Sequence, residues 1–270
     1  MRYAVLAGNG RFPMLALENA RKLGHDVVAI GIRDEASSEI EALASKSYWI
    51  TIGELSKLID ILKREAITEL MMTGQVKHVS IFSSLRPDWR LVKLLASLRE
   101  KNTAALIGGV AKVLADEGIS LVDSTILLKP LLAGEGVLTR RKPSAHEEKD
   151  ARYGRRIAHA LAGVDVGQSV AISERACVAI EAMEGTDAML RRAASLVNGN
   201  PLCLVKVSRG RKHLLFDVPV AGLNTIAVMQ EAGATMMAVD AGRTLLLDKE
   251  ELIAAADRAG LAIVGYAPLE

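Results

Sequence analysis

The hydrophobic positions along the chain follow two different periods. Short continuous apolar runs, such as the one at residues 2–7, have the length and composition of buried β-strands. They alternate with longer segments in which apolar residues recur every three or four positions, as at Leu55, Leu58 and Leu62. Continuous apolar strands separated by amphipathic helices predict an α/β fold with a mainly parallel sheet that helices cover on both faces.

The predicted elements fall into two groups. The first group holds strands at 2–7, 26–32, 69–73 and 120–123, with helices at 13–23, 54–64, 88–99 and 109–117. The second group holds helices at 151–161, 186–196, 225–232 and 249–259, with strands at 169–173, 176–183, 202–207, 214–216, 235–239, 244–247 and 261–265. Residues 129–150 are turn-rich and charged, so we interpret them as a linker between a domain at 1–128 and a second α/β domain at 151–270.

The composition narrows the class of protein. Lys and Arg number 34 against 32 Asp and Glu, and a net charge of +2 does not favour a protein that binds nucleic acid. Cys177 and Cys203 lie in apolar runs, which predicts buried thiols in a reducing compartment, and no CxxC or HxxxH spacing indicates a zinc site. No signal peptide and no run of about 18 apolar residues is visible. We therefore expect a cytoplasmic protein, with peripheral contact to a membrane left open.

A turn with two glycines follows the first predicted strand. The segment Gly8-Asn9-Gly10 would let the backbone approach a ligand, and the next helix offers free N–H groups that suit a phosphate or nucleotide. Pro13 stands where dinucleotide-binding folds have a third glycine, which disfavours NAD and a nicotinamide-dependent oxidoreductase. A tight strand-to-helix turn without a ligand explains this feature equally well.

A second loop is predicted to reach the same edge of the sheet. Gly74 and Gln75 follow the strand at 69–73, and Lys77 and His78 come next. Because the carboxyl ends of parallel strands meet at one edge, we expect this loop to face the same crevice, where Gln75 would read a base edge. Lys77 and His78 would either meet phosphate or lie solvated in the loop.

Polar residues follow several predicted strands of the second domain. Gly185 turns the chain, and a helix then opens with a hydroxyl and a carboxylate, so its N-terminus can bind an anion. An arginine on the next turn is a charge partner for a phosphate or for a nearby carboxylate. Taken alone, this segment would be interpreted as a helix with a capped N-terminus. Together with the polar residues that follow other predicted strands, it indicates a binding site. The predicted site residues are Gln168, Thr186, Asp187, Arg191 and Lys206.

The strand predicted at 214–216 ends in a carboxylate, Asp217. Pro219 stops the strand, Gly222 permits a turn, and Asn224 is a suitable N-cap for the following helix. Many α/β proteins bind metals and phosphates where a carboxylate at the end of a strand faces the N-terminus of a helix. Taken alone, Asp217 is better explained as a residue that only caps the turn.

Motifs along essentially the whole chain are similar to those of a known family. They include AGNGRFP (7–13), LLAGEGVLTRRKPS (131–144), EGTDAMLRR (184–192), FDVPVAGLNTI (216–226) and AGRTLLLD (241–248). Together they resemble the LpxI-type UDP-2,3-diacylglucosamine pyrophosphatases of lipid A biosynthesis. The family usually reads DLPTIG where this chain reads DVPVAG, so Val220 replaces a threonine and its hydroxyl.

The resemblance implies a reaction and an architecture. The reaction is hydrolysis of UDP-2,3-diacylglucosamine to UMP and 2,3-diacylglucosamine 1-phosphate (lipid X), with a divalent metal such as Mg²⁺. The architecture is an N-terminal Rossmann-like nucleotide-binding domain followed by a C-terminal catalytic and lipid-binding domain. A location in the cytoplasm of a Gram-negative bacterium, peripheral contact with the inner membrane and a homodimer are further expectations.

The resemblance also implies roles for residues. The family's essential aspartate falls on Asp217, either as a metal ligand or as the base that activates water. Lys206 and Arg191 would stabilise phosphate charge. The uridine nucleotide would contact Gly8, Asn9, Gly10, Gly74 and Gln75. The alternative is a non-catalytic module that binds UDP-sugars or lipids, because no metallophosphoesterase, Nudix or P-loop signature is present.

Overall fold

The computed structural model describes residues 2–76, 87–98, 103–209 and 218–269. The chain divides into two compact units, Met1–Leu128 and Lys129–Glu270. The strand predicted at 214–216 lies outside the described residues, as do Lys77, His78 and Asp217. No helix within the described ranges combines the length and the apolar character needed to cross a membrane.

The first unit is built on a five-stranded sheet in the order β3-β2-β1-β4-β5. Every neighbouring pair in this sheet is parallel. The strands are β1 Arg2–Ala7, β2 Asp26–Ile32, β3 Lys46–Ile50, β4 Glu69–Thr73 and β5 Ser120–Val122. The helices are α1 Arg11–Lys22, α2 Ile40–Leu43, α3 Leu55–Arg64, α4 Trp89–Ser97 and α5 Thr103–Asp116. Separate apolar clusters pack on the two faces, so the predicted α/β sheet with both faces covered is confirmed.

Two elements of this unit were not predicted. The strand β3 lies at the edge of the sheet and reads Lys-Ser-Tyr-Trp-Ile, so it lacks a continuous apolar run. The helix α2 before it spans only four residues. The helix α5 also begins earlier than predicted, at Thr103, so Gly109 is an interior residue of the helix. This glycine lets Leu94 pack closely, because a Cβ there would lie 2.5 Å from the Leu94 Cδ1.

The second unit contains a six-stranded mixed sheet in the order β6-β13-β11-β9-β7-β8. The central strands β9, β11 and β13 are parallel, whereas β6 runs antiparallel to β13, β7 to β9, and β8 to β7. The strands are β6 Gly136–Val137, β7 Ser169–Ser173, β8 Ala176–Ile180, β9 Leu202–Lys206, β11 Ala234–Asp240 and β13 Ala262–Tyr266. The prediction of a mixed C-terminal α/β domain is confirmed.

Helices cover both faces of this sheet. The helix α6, Ala145–Gly163, packs on one face, and α7 Thr186–Ala194, α8 Leu223–Glu231 and α9 Lys249–Arg258 pack on the other. The strands alternate accordingly: Leu202 and Leu204 face the three-helix side, whereas Cys203 and Val205 face α6. This alternation decides which polar residues can meet at the end of the sheet.

Residues 129–150, which we interpreted as a linker, carry regular structure of the second unit. They hold a 3-10 turn at Lys129–Leu131, the strand β6 and the first turn of α6. That helix begins with a capping box, in which the Ser144 hydroxyl accepts from the Glu147 N–H and the Glu147 carboxylate accepts from the Ser144 N–H. The S-x-x-E spacing is the sequence signature of this start.

The strands predicted at 235–239 and 244–247 do not pair with each other as a hairpin. Instead, β12 Leu245–Leu246 pairs in parallel with β10 Val220–Ala221 in a separate two-stranded sheet. The Leu245 N–H donates to the Pro219 carbonyl, so the turn after β11 leads the chain away from the main sheet. This small sheet places the start of α8 beside the start of α7.

Candidate functional site

A row of polar side chains crosses three strands at one end of the second sheet. Lys206 ends β9 and pairs with Ser169, the first residue of β7. The Glu181 N–H in turn donates to the Ser169 carbonyl at 2.9 Å, so Glu181 continues the row just past β8. All three residues have the strand parity that faces α7, α8 and α9.

Thr186 joins this row from the N-terminus of α7. The Lys206 Nζ donates to the Thr186 Oγ1 at 2.9 Å and to the Ser169 Oγ at 3.1 Å. The Thr186 hydroxyl donates onward to the Glu181 Oε1 at 2.8 Å. Gly185, with φ 82°, is the N-cap and supplies no side-chain cap, so the first-turn N–H groups of α7 add partial positive charge here.

Lys206 is an unusual buried cation. Its exposed fraction is only 8%, yet within the described part of the chain its ammonium contacts two neutral hydroxyls and makes no ion pair with a carboxylate. Burying an ammonium group without an opposite charge costs several kcal/mol. Together with the helix N-terminus, this arrangement is suited to accept an anion.

The N-termini of α7 and α8 meet beside this cluster. The Asn224 side-chain amide donates a hydrogen bond to the Asp187 carboxylate. Asn224 is therefore not the predicted N-cap: Gly222 takes that position, and its N–H donates to the Thr225 hydroxyl. The predicted residue Asp187 thus lies one position from Thr186 and is held by a contact between two helices.

The structure separates the other two predicted residues of this unit from the cluster. Arg191 is 55% exposed and pairs with Glu231 at 3.3 Å. Gln168 lies in a bend just before β7, and its buried Oε1 has no hydrogen-bond partner within the described residues. The hydrogen bonds of Lys206 in the described chain go to Ser169 and Thr186 and not to these two residues.

In the first unit, the two predicted glycine loops bind each other. The Gly8 N–H donates to the Thr73 carbonyl at 2.8 Å, and Asn9 and Gln75 exchange backbone hydrogen bonds at 2.7 and 3.0 Å. A Cβ at residue 8 would lie 2.5 Å from the Gln75 carbonyl oxygen, and one at residue 74 would lie 2.5 Å from the Asn9 carbonyl oxygen. These glycines therefore permit a close backbone contact between the loops after β1 and β4.

The same loops leave other groups open to a ligand. Gly10, with φ 98°, is the N-cap of α1, and nothing lies within 4 Å of a Cβ built there. The side chains of Asn9 and Gln75 belong to exposed residues. From β1 the chain continues to β2 on one side of the sheet, and it later returns to β4 on the other side of β1. The loops after β1 and β4 therefore lie at the topological switch point of the sheet.

The candidate metal ligand Asp217 lies outside the described residues. Within the described ranges, no group of three or more His, Cys, Asp or Glu side chains could hold a metal ion. The Lys206 ammonium and its two hydroxyl partners suit an anion better than a cation. Asp187 and Glu181, which accepts from the Thr186 hydroxyl, are described carboxylates near Lys206, and their oxygen chemistry fits Mg²⁺, an ion that often takes only one or two carboxylates.

Sequence reasoning missed two members of the polar row, Ser169 and Glu181. Each borders an apolar run that was interpreted only as a buried strand. Their polar character at strand ends was a usable signal, but their meeting with Lys206 depends on the pairing register of β7 with β8 and β9. That register is set by tertiary pairing.

These features define a class of protein: a two-unit α/β protein with a Rossmann-like strand order in its first unit and a polar cluster around a buried lysine in its second. The family models for the LpxI N-terminal domain and the LpxI C-terminal domain match residues 2–131 and 134–264. The chain belongs to the LpxI family. A relative from Caulobacter vibrioides, named UDP-2,3-diacylglucosamine pyrophosphatase LpxI, is 29% identical over 279 aligned positions that cover 100% of this chain and 99% of the relative.

Solved structures give only distant matches. A UDP-glucose 4-epimerase from Bifidobacterium longum, in complex with NAD⁺ and UDP, is 13% identical over 54% of this chain and 43% of its own, with a TM-score of 0.30. A glycinamide-RNase-transformylase T from Mycobacterium tuberculosis is 15% identical over 63% of this chain and 38% of its own, with a TM-score of 0.29. The chain thus spans less than half the length of these structures.

Proposed function

We propose that the chain hydrolyses the pyrophosphate bond of UDP-2,3-diacylglucosamine, releasing UMP and 2,3-diacylglucosamine 1-phosphate. Membership of the LpxI family and the activity for which the Caulobacter relative is named support this reaction. The structural observation that carries the proposal is the buried ammonium of Lys206, which has only hydroxyl partners among the described residues. A lipid-linked substrate favours a cytoplasmic enzyme in peripheral contact with the inner membrane.

The charge of the substrate explains why such a cation is useful. A pyrophosphate diester carries two negative charges that repel an attacking water or hydroxide. An ammonium that is already desolvated and held by Ser169 and Thr186 interacts strongly with phosphate oxygens and needs no reorganisation during the reaction. We assign Lys206, Thr186 and the first-turn N–H groups of α7 to one phosphate of the substrate.

Asp217 is the proposed catalytic residue, either as a ligand of a divalent metal or as the base that takes a proton from water. Mg²⁺, when bound, would neutralise phosphate charge and polarise phosphorus. We propose that carboxylates such as Asp217 and Asp187 hold the ion, because the donors around Lys206 suit an anion.

The nucleotide part of the substrate is assigned to the first unit. Its loops after β1 and β4 lie at the switch point of a parallel sheet, where α/β proteins bind nucleotides. Since the Gly8 and Asn9 N–H groups are used between the loops, we assign recognition to the Asn9 and Gln75 side chains and to the start of α1 after Gly10.

An assay of UMP release tests the reaction. Wild type, Asp217→Ala and Lys206→Met would be compared with Mg²⁺ and with EDTA, and Lys57→Met, which alters a lysine that is 47% exposed in the first unit, is the matched control. We expect chelation and Asp217→Ala to abolish turnover, and Lys206→Met to lower kcat/KM on the order of 10²–10³-fold, as for removal of a preorganised charge donor.

Each alternative outcome has a definite meaning. Substrate binding without UMP release in wild type would reject the hydrolase and favour the non-catalytic binding module. Turnover that survives EDTA would reject metal dependence. A Lys206→Met variant with the kcat/KM of Lys57→Met would reject the assignment of phosphate to Lys206.

A further inference from the structure

A second charged cluster lies at the same end of the second sheet, on its other face. Asp240 ends β11 and is fully buried, with an exposed fraction of 0%. It shares strand parity with Met236 and Ala238, whose side chains pack in the cluster that contains α6. Asp240 therefore faces away from the Lys206 side chain, although β9 and β11 are adjacent strands.

The carboxylate of Asp240 is fully engaged. Its Oδ1 accepts from the Arg155 Nη2 at 3.2 Å, the His159 Nε2 lies 3.3 Å away, and its Oδ2 accepts from the Ser208 N–H at 3.0 Å. Burial alone would raise the pKa of Asp240, but the hydrogen bonds from His159, Ser208 and Arg155 outweigh burial and lower it. The group is thus an ionised carboxylate whose charge is compensated on both oxygens.

The bond to Ser208 fixes the chain just beyond Lys206. The Val207 N–H donates to the Gln168 carbonyl on the β7 side, so the next N–H, that of Ser208, points toward β11. The paired register of β9 and β11 ends at Lys206 and Val239, before this N–H. The Asp240 carboxylate accepts the Ser208 N–H and acts as a cap on the end of β9.

The same cluster also holds the end of the third parallel strand. Arg155 donates to the Ala267 carbonyl at 2.5 Å, and its guanidinium lies 4.9 Å from the Tyr266 ring centroid. The carboxyl ends of β9, β11 and β13 are therefore joined through one buried carboxylate and one arginine. Such a charge-assisted network is rigid, because breaking any part leaves a buried group unpaired.

We propose that Asp240 is a positioning residue for Lys206: by capping β9 from the opposite face, it holds the Lys206 Nζ against Ser169 and Thr186. In this proposal Asp240 acts through Lys206 and not by contact with substrate. Its contribution to catalysis rests on the proposed function, whereas its effect on the position of Lys206 does not.

The test compares two buried aspartates of the same unit. Asp150 is 4% exposed, lies on α6 like Arg155, and accepts the backbone N–H groups of Glu174 and Arg175 at 3.2 and 2.7 Å. It does so at the β7–β8 turn, the opposite end of the sheet from Lys206. Asp240→Asn and Asp150→Asn thus remove equivalent buried caps, and only the former lies behind Lys206.

Two measurements separate positioning from general stability. The first is the labelling rate of Lys206 by an amine-reactive reagent, followed by peptide mass spectrometry and normalised to Lys249 in the same sample. The second is kcat and KM for UMP release. Thermal unfolding of each variant records the loss of stability common to both.

For Asp240→Asn we expect Lys206 labelling to rise about tenfold, which corresponds to a local opening free energy lowered by about 1.4 kcal/mol. We expect kcat to fall on the order of 10- to 100-fold with a smaller change in KM. Asp150→Asn should lower the unfolding temperature but leave labelling and kcat near wild type. His159→Gln keeps Asp240 and Arg155 in place, so it should shift both readouts in the same direction to a smaller extent.

Unchanged Lys206 labelling in folded Asp240→Asn, or equal labelling changes in Asp150→Asn, would overturn the proposal. If Asp240→Asn does not fold, His159→Gln decides: wild-type labelling in that folded variant would refute it. If wild type releases no UMP, the proposed function fails, but the labelling comparison still tests the positioning of Lys206.

Discussion

Glu147 is a carboxylate of the second unit that accepts hydrogen bonds on both oxygens, and it gives a direct test of the electrostatics of this unit. Arg141 binds both of its oxygens at 2.9 and 2.7 Å, and the Ser144 N–H and the Thr235 hydroxyl each donate at 2.7 Å. These bonds join the start of α6 to β11 and to the segment before the helix. We predict that Glu147→Gln removes a stabilisation that depends strongly on pH.

The pKa of Glu147 sets the size of the effect. Burial acts to raise this pKa, but the bonds from Arg141, Ser144 and Thr235 prevail and lower it from 4.5 to about 2. A fall of that size corresponds to about 3 kcal/mol of stabilisation in the folded state. Arg141 is 35% exposed, so screening by water reduces the expected effect to about 2 kcal/mol.

The sign of the pH dependence follows from the lowered pKa. Because Glu147 is more acidic in the folded state than in the unfolded state, its stabilisation is complete above about pH 4.5 and is lost as the pH falls toward 2. The difference in unfolding free energy between wild type and Glu147→Gln should therefore be about 2 kcal/mol at pH 7 and roughly half of that at pH 3.

Urea unfolding followed by circular dichroism, at constant ionic strength and several pH values, measures this difference. Glu148→Gln is the control, since Glu148 is 46% exposed and lies 3.8 Å from Arg152 on the same helix. We expect that control to stay within about 0.5 kcal/mol of wild type at every pH. A Glu147→Gln difference that does not change between pH 7 and pH 3, or that equals the control, would refute the reasoning.

Two further predictions concern the loops of the first unit and the hydroxyl at the start of α7. Gly8→Ala should lower the thermal unfolding temperature markedly, because the new Cβ would lie 2.5 Å from a backbone carbonyl oxygen. The control Gly108→Ala should be neutral or stabilising, because nothing lies within 4 Å of a Cβ at that position. Equal melting temperatures for the two variants would contradict this prediction. Thr186→Val leaves Lys206 one acceptor short and should slow UMP release about tenfold, while Thr186→Ser should retain most activity; equal rates for the two variants would exclude a role for the hydroxyl.

The strands that could be predicted are those whose own residues form a continuous apolar run. In β1 every residue from Tyr3 to Ala7 is buried between two parallel neighbours, and its sequence is a continuous apolar run. The edge strand β3 has one neighbour and three half-exposed positions, so its sequence carries no such pattern. Its place is decided by pairing with β2, which only the folded sheet reveals.

The candidate site shows the same division between local and tertiary information. Thr186 and Lys206 were predicted because a helix start and a strand end are local features. Ser169 and Glu181 were missed because they reach Lys206 only through the pairing of three strands. The glycines after β1 are predicted to let a ligand approach the backbone, but the group that approaches Gly8 and Gly74 within the described residues is the opposite loop.

The two buried charges at the end of the second sheet differ in a way that separates structure from function. Asp240 is surrounded by donors that satisfy both oxygens, so its burial is balanced within the described residues. Lys206, on the adjacent strand, has hydroxyl partners and no ion pair in the same described ranges. Retaining a buried cation without a direct ion pair costs stability, and such a cost is recovered when an anion binds. In our proposal, one face of the sheet fixes the strand ends and the other presents a desolvated positive charge to a phosphate of the substrate.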